Sequence, residues 1–266
     1  MGAQKKSAAP ASEESVQRHA LSPAYLALLP MFLCYELGVR DLGGSQRNAA
    51  QVLLSLWLEP FGVHADGIRW GLLAAFGVVA LYLCRAHGIR IRDAVARIWL
   101  EGLLVALILG PVLVGLTALA LRGAEPLDIS WDASRASPGL AVAGYFFGGA
   151  VYEELVFRIG VYGVLFWTGA RVARELGGGE STARWAAEGF GLLGSSLGFA
   201  AFHFQRFTHW LWGGGLDYST ALFTWLTLAG LLLGLIFRLR GPGVAAVAHG
   251  LFNLGLLVGI DPDVLT

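Results

Sequence analysis

Long apolar runs are the feature of this sequence that most constrains its fold. Several runs of 17 or more residues carry almost no charge, and about 20 apolar residues suffice to cross the hydrocarbon core of a bilayer. Only 14% of the residues are charged and mean hydropathy is +0.62, whereas soluble domains carry about 25% charged residues. Because lipid offers no hydrogen-bond partner to loose backbone groups, the chain is predicted to be an all-α, polytopic transmembrane bundle of about 7 to 8 helices.

The apolar runs divide the chain into a tail and a membrane domain. Residues 1–20 are polar and are expected to form a flexible cytoplasmic tail, and residues 21–266 are expected to form a single transmembrane domain. The predicted crossings are residues 21–38, 68–84, 98–121, 138–170, 186–204, 220–237 and 244–260. An additional stretch, 50–63, is too short to span comfortably and is expected to lie in the interface or to re-enter.

The distribution of basic residues predicts the orientation. The richest basic loop, residues 85–97, contains four arginines and should be cytoplasmic by the positive-inside rule. With the tail that holds Lys5 and Lys6 on the same side, the number of intervening crossings must be even. All other basic residues are arginines, a codon bias that suggests a bacterium and hence its inner membrane. The net charge of zero gives no indication of a nucleic-acid partner.

Three ionisable residues lie near the middle of the 138–170 segment. They are Glu153, Glu154 and Arg158, and together they cost on the order of 8 to 10 kcal/mol in a membrane unless they are paired or hydrated. Glu154 and Arg158 are four residues apart, the favourable order for an ion pair on one helix face. Glu153 is turned by about 100° from that face, so it is predicted to be the free carboxylate and Glu154 and Arg158 to be structural or electrostatic support.

Two later segments each carry a polar group in an apolar setting. Phe199 and His203 end the 186–204 segment, and His249 and Asn253 share one face of the 244–260 segment. Alone, a histidine such as His203 is more often a packed or interfacial residue than a site residue. The second pair is consistent either with a lined cavity or with hydrogen bonds that join helices.

In this order, the three elements resemble the signature of the CPBP family of intramembrane endopeptidases, which includes CAAX prenyl endopeptidases and bacteriocin-processing, Abi-like proteins. The family pattern EExxxR, FxxxH and HxxxN is matched at every position, over about residues 138–260. The resemblance implies that Glu153 and His203 hold and deprotonate a water, and that His249 and Asn253 stabilise the oxyanion. Phe199 is expected to support the site, and no cofactor is implied.

Three alternatives remain open. Zinc is possible as a cofactor, since Glu153, Glu154, His203 and His249 include the ligand types of a zinc protease, although HExxH is absent. A second alternative is a non-catalytic scaffold or immunity protein with the same fold. The third is a serine mechanism, because residues 194–198 spell GxSxG. The nucleophilic serine of a GxSxG enzyme lies on a strained turn between a strand and a helix, which an apolar helix does not provide. Ser195 and Ser196 are therefore expected to form hydrogen bonds to the backbone or to a neighbouring helix.

The expected partners follow from the resemblance and the composition. They are membrane lipid and a protein or peptide substrate with a membrane-proximal cleavage site. Glu36, near the end of the first apolar run, is expected to snorkel to the interface. Cys34 and Cys84 lie in apolar runs without CxxC spacing and are expected to be small hydrophobic residues.

Overall fold

The computed structural model describes residues 20–43, 47–120, 139–211 and 215–259. The predicted tail, except for residue 20, lies outside the described residues, as do residues 121–138 and residues 260–266. In the described ranges the regular structure is helical apart from one isolated bridge between Phe204 and Leu216. The prediction of an all-α polytopic bundle is confirmed.

Ten α-helices are described, together with one 3₁₀ and one π segment. They are α1 (Leu21–Asp41), α2 (Ala49–Ser55), a 3₁₀ segment (Leu56–His64), α3 (Ala65–Ala86), α4 (Ile91–Ala120), α5 (Leu140–Glu154), a π segment (Leu155–Val161), α6 (Tyr162–Glu175), α7 (Glu180–Ala201), α8 (Gln205–Thr208), α9 (Thr220–Arg240) and α10 (Pro242–Gly259).

Five helical stretches in the described part of the chain are long and apolar enough to cross a membrane. They are residues 21–41, 49–86, 91–120, 140–175 and 220–240, and they overlap five of the seven predicted crossings. The apolar part of α10 is shorter, and α7 is not among the five. The short stretch 50–63 is helical and runs directly into α3, with its kink at Gly62, where φ is +50°. It is therefore continuous with a crossing helix.

Glycines let α5 pack against α1 at backbone distance. A Cβ atom at Gly144 would lie 2.6 Å from the carbonyl oxygen of Cys34, and one at Gly148 would overlap the carbonyl oxygen of Met31. A side chain at either position would force the two helices apart. The two glycines therefore allow this close packing, as expected for small residues four apart in membrane helices. The close contact fixes the end of α5, where the two glutamates lie, against the N-terminal part of the bundle.

The start of α10 lies inside the bundle. Gly241 has φ of +91°, which glycine adopts without strain, and it turns the chain from α9 directly into α10. All residues from 241 to 250 are buried, and α10 packs against α1, α4, α5 and α9. Straight helices that began at the membrane surface would hold His203 and His249 about 15 to 20 Å apart. The buried start of α10 removes this separation.

Candidate active site

The two adjacent glutamates are the last residues of α5. The following π segment, Leu155–Val161, carries Arg158 and leads without a break into α6. Single π turns inside α-helices occur frequently at functional sites, because the extra residue changes the direction of nearby side chains. Glu153, Glu154 and Arg158 are all buried here, which favours partners for each of them.

The histidines approach from two other helices. His203 lies two residues beyond the end of α7, because this helix ends three residues before the predicted segment 186–204 does. Its Nδ1 atom is 2.8 Å from the carbonyl oxygen of Phe199. Since a carbonyl oxygen only accepts, Nδ1 must carry the proton, and in neutral His203 the Nε2 atom holds the lone pair. His249 belongs to the buried part of α10.

One carboxylate oxygen of Glu153 faces both imidazole rings. Its Oε2 atom lies 3.5 Å from Nε2 of His249 and 3.9 Å from Nε2 of His203. Among the described residues, this buried oxygen has no hydrogen-bond partner. The side chain of His203 is 27% exposed, compared with 12% for Glu153 and 4% for His249. The cluster formed by these three residues is therefore most accessible at His203.

Glu154 lies between Arg158 and His249. Its Oε1 atom is 3.0 Å from Nδ1 of His249, and its Oε2 atom is 3.3 Å from Nε of Arg158. The predicted ion pair therefore forms, although these two atoms are not aligned as a hydrogen bond. The contact with His249 is not predicted by the helix spacing, and because Nδ1 donates to a carboxylate, it fixes the orientation of the ring.

Arg158 and Phe199 pack beside the glutamates and histidines of the site. The guanidinium carbon lies 5.4 Å from the centre of the Phe199 ring, within cation–π range, and Nη1 is 3.5 Å from Oγ of Ser195. The Phe199 ring also contacts the rings of His203 and His249, at centroid distances of 4.6 and 5.6 Å. Phe199 thus packs between the two histidines and the arginine.

Asn253 lies one turn beyond His249 on α10. Its Nδ2 atom donates to the carbonyl oxygen of Phe146 on α5 at 3.3 Å, so the amide forms a hydrogen bond that joins two helices, which is one of the two roles expected for this pair. An amide nitrogen has two N–H groups, and this contact uses one of them.

The site includes one residue that sequence reasoning misses. Asn48, which precedes α2, donates from Nδ2 to Oε1 of Glu153 at 2.6 Å. The prediction that Glu153 lacks a partner is therefore wrong for one of its oxygens. No motif indicates Asn48; the only local signal is that asparagine is a favoured N-cap residue.

Glu36 does not snorkel to the interface. It is buried, its Oε2 atom is 2.6 Å from Nη2 of Arg69, and its Oε1 atom accepts a 2.9 Å hydrogen bond from the hydroxyl of Tyr152. The prediction is wrong because a cation from α3 reaches Glu36 inside the bundle, which offsets the cost of burying the carboxylate.

The four candidate zinc ligands, Glu153, Glu154, His203 and His249, do not form a metal cluster. Within the described residues, which include all four, no group of three or more His, Cys, Asp and Glu residues is arranged to hold a metal ion. Glu154 in particular is engaged by Arg158 and by Nδ1 of His249, so the four-residue ligand set does not fit a single ion.

The serines of the GxSxG sequence bond to the backbone as expected. Oγ of Ser196 donates to the carbonyl oxygen of Leu192 at 2.6 Å, and Oγ of Ser195 donates to the same oxygen at 3.3 Å. Both serines lie within α7, not on a strand-to-helix turn. Cys34 and Cys84 are free thiols.

Comparison with known proteins identifies the part of the chain that carries the site. Residues 135–255 match the family described as type II CAAX prenyl endopeptidase Rce1-like. This segment, which contains all three motifs, is therefore similar to the Rce1-like family. No curated protein and no solved structure gives a significant match. Together with the five span-length helices, this similarity supports an integral membrane protein related to the CAAX-type endopeptidases.

The Rce1-like segment contains all three motifs but not the whole site. Glu153, His203 and His249 lie within residues 135–255, whereas Asn48, Glu36 and Arg69 lie outside them. The part of the chain before the Rce1-like segment therefore contributes a direct contact to the motif glutamate.

Proposed function

We propose that this chain is an intramembrane endopeptidase that hydrolyses a peptide bond with a water activated by Glu153 and His203. The observation that carries the proposal is the oxygen Oε2 of Glu153, which is buried, lacks a hydrogen-bond partner among the described residues and faces Nε2 of both histidines. A carboxylate and an imidazole lone pair that converge on one point are two acceptors for the protons of a water molecule.

The first step is the attack of this water. Its oxygen bonds to the carbonyl carbon of the scissile peptide, while its proton passes to Oε2 of Glu153 or to Nε2 of His203. A general base contributes typically about 10² to 10⁴ in rate. Water and substrate would approach past His203, whose side chain is the most exposed of the three.

The second step is the collapse of the tetrahedral intermediate. We assign the stabilisation of its oxyanion to His249, whose Nε2–H is available when the ring is cationic, and to the second N–H of Asn253. Glu154, 3.0 Å from Nδ1, would balance the charge of a cationic His249. The proton held by Glu153 or His203 then passes to the leaving nitrogen, the C–N bond breaks, and the products are a carboxylic acid, which retains the second proton of the water until it ionises, and an amine.

The proposed substrate is a protein or peptide whose scissile bond lies close to the membrane. Its class rests on the family name, which points to the C-terminal CAAX sequence of a prenylated protein. The arginine bias of the sequence instead favours a bacterial inner membrane, where we expect a secreted peptide or a protein with a C-terminal membrane sorting tail. In that membrane the N-terminus would be cytoplasmic.

The test is a cleavage assay with the purified full-length chain in liposomes. The probe is a farnesylated peptide that ends in a CAAX sequence, with its unprenylated counterpart as the control, and products are identified by mass spectrometry. Release of the last three residues from the farnesylated probe alone would support a prenyl-dependent activity. Absence of cleavage of both probes, with no membrane protein accumulating uncut in a proteomic comparison of deletion and parental cells, would overturn the proposal.

A further inference from the structure

Asn48 is the polar contact of Glu153 that comes from outside the motif-bearing segment. The two residues are 105 positions apart in sequence, and Nδ2 of Asn48 lies 2.6 Å from Oε1 of Glu153. We infer that Asn48 is a positioning residue for hydrolysis, which holds Oε1 so that Oε2 alone is presented to His203 and His249. This inference rests on the proposed function, because it concerns the same carboxylate.

The orientation of the Asn48 side chain is fixed by its role as a helix cap. Its Oδ1 atom accepts a 2.8 Å hydrogen bond from the backbone N–H of Ala50 at the start of α2. Because the oxygen must face that N–H, the NH₂ group must face Glu153, and the amide cannot be reversed without losing both hydrogen bonds. Asn48 therefore presents a donor to the carboxylate.

The backbone of Asn48 is held as well. Its N–H donates to the hydroxyl of Tyr35 at 2.8 Å, and Tyr35 is fully buried in α1. The neighbouring Gln51, also fully buried, lies in α2 with its side-chain amide within 2.6 Å of Nη1 of Arg69 when its oxygen faces the arginine. Arg69 in turn pairs with Glu36. A connected set of buried polar groups thus holds the turn that carries Asn48.

This arrangement gives the two oxygens of Glu153 different environments. Oε1 is bound by a neutral donor, and Oε2 faces the two imidazole rings; Tyr145 is also within electrostatic range of the carboxylate. The hydrogen bond from Asn48 to Oε1 prevents rotation of the carboxylate. Glu153 is thereby kept as a base with one defined oxygen.

Gly149 provides an independent indication of the same fit. It lies one turn before Glu153 on α5, and a Cβ atom at this position would lie 3.3 Å from Nδ2 of Asn48. A methyl group there would push the amide by a few tenths of an ångström. The absence of a side chain at residue 149 is therefore part of how Asn48 reaches Glu153.

The experiment uses two substitutions that retain the helix cap. Serine and aspartate are both favoured N-cap residues, so Asn48→Ser and Asn48→Asp keep an acceptor for the N–H of Ala50. Asn48→Ser replaces the amide with a shorter hydroxyl and so withdraws the Nδ2 donor from Glu153, and Asn48→Asp replaces that donor with a second carboxyl. The control is Ser219→Ala. This substitution removes the hydrogen bond between the Ser219 side chain and the N–H of Leu222 that caps α9, and it leaves the surroundings of Glu153 unchanged.

The readouts are kcat, KM and the pH dependence of kcat for the farnesylated peptide, with each variant normalised to folded protein. Asn48→Ser should lower kcat about 10- to 100-fold, the loss expected for one hydrogen bond to a charged group, with little change in KM. Asn48→Asp should move the acid limb of the kcat profile to higher pH, because adjacent carboxyls favour retention of a proton. Ser219→Ala should leave kcat and the profile unchanged.

Gly149→Ala tests the same contact without a new polar group. Alanine favours a helix more than glycine does, so folding should not suffer, yet kcat should fall by less than in Asn48→Ser. This variant decides the matter if the carboxyl of Asn48→Asp prevents folding.

Two outcomes separate the inference from the proposed function. If Glu153→Gln is inactive while Asn48→Ser, Asn48→Asp and Gly149→Ala all keep the wild-type kcat and pH profile, the positioning role is wrong and the proposed function stands. If Glu153→Gln cleaves normally, or if the wild-type chain cuts neither probe and no membrane protein accumulates uncut in deletion cells, the proposed function fails and the inference falls with it.

Discussion

Nδ1 of His249 lies 3.0 Å from Oε1 of Glu154, which connects α10 to the end of α5 across 95 residues of sequence. The glutamate is also paired with Arg158, so one buried carboxylate both neutralises a cation and orients an imidazole. The adjacent Glu153 faces the other nitrogen of the same ring. Two neighbouring glutamates thus hold opposite sides of His249, and this division underlies their different expected roles.

Removal of the Glu154 side chain should destabilise the fold. Glu154→Ala leaves the fully buried Arg158 without its carboxylate, which typically costs about 3 to 5 kcal/mol. The matched control is Glu175→Ala, because Glu175 forms an i,i+4 pair with Arg171 in which both side chains are 62% exposed, and exposed pairs contribute about 1 kcal/mol or less. Equal losses of unfolding free energy for both variants, measured by denaturation in detergent, would refute the structural role of Glu154.

Loss of the Asn253 amide should act on the reaction. Asn253→Ala is expected to lower kcat by about two to three powers of ten, the effect of removing one oxyanion donor. It also removes the contact with the carbonyl of Phe146, so thermal stability is measured beside turnover. A loss of stability with unchanged kcat per folded molecule would leave Asn253 as a link between helices and remove it from the oxyanion site.

Strong chelators should leave activity unchanged if the water is activated by Glu153 and His203 alone. The assay is cleavage before and after treatment with 1,10-phenanthroline, followed by addition of zinc, with the non-chelating 1,7-isomer as the control. Activity that is lost to the chelator and specifically restored by zinc would overturn the metal-free proposal.

The orientation of the chain is tested by reporter fusions. A reporter after Arg92, at the start of α4 beside the basic turn that precedes it, should report the cytoplasm, because that region has the highest density of arginines. One placed after Asp128 should report the opposite side. If both reporters lay on the same side, the prediction of one membrane crossing between residues 92 and 128 would be wrong.

Much of the site is predictable because its chemistry is unusual for a membrane helix. Ionisable residues such as Glu154 and Arg158 are costly in lipid, so their presence and their i,i+4 spacing are enough to predict a buried pair. The convergence of His203 and His249 is implied only by family resemblance. Straight-helix geometry argues against it, since the buried start of α10 after Gly241 has no periodic signature in the sequence.

The contacts made by the N-terminal helices are not predictable in this way. Asn48 lies just before one apolar run and Glu36 near the end of another, where a polar residue is ordinary, and their partners are 105 and 33 residues away. Local periodicity contains no information about pairing over such separations. For Glu36 the alternative of reaching the interface is physically reasonable, and only the position of Arg69 decides against it.

The most direct test of the proposed mechanism compares Glu153→Gln with Glu154→Gln in a cleavage assay normalised to folded protein in membranes. Glutamine cannot take the proton of water, so Glu153→Gln should be folded, abundant and inactive, and His203→Ala should behave in the same way. Glutamine at 154 retains an acceptor for His249 but loses the charge that faces Arg158, so Glu154→Gln should chiefly lower the amount of folded protein. Near-normal turnover in Glu153→Gln, with well-folded but inactive Glu154→Gln, would contradict the assignment of the two carboxylates.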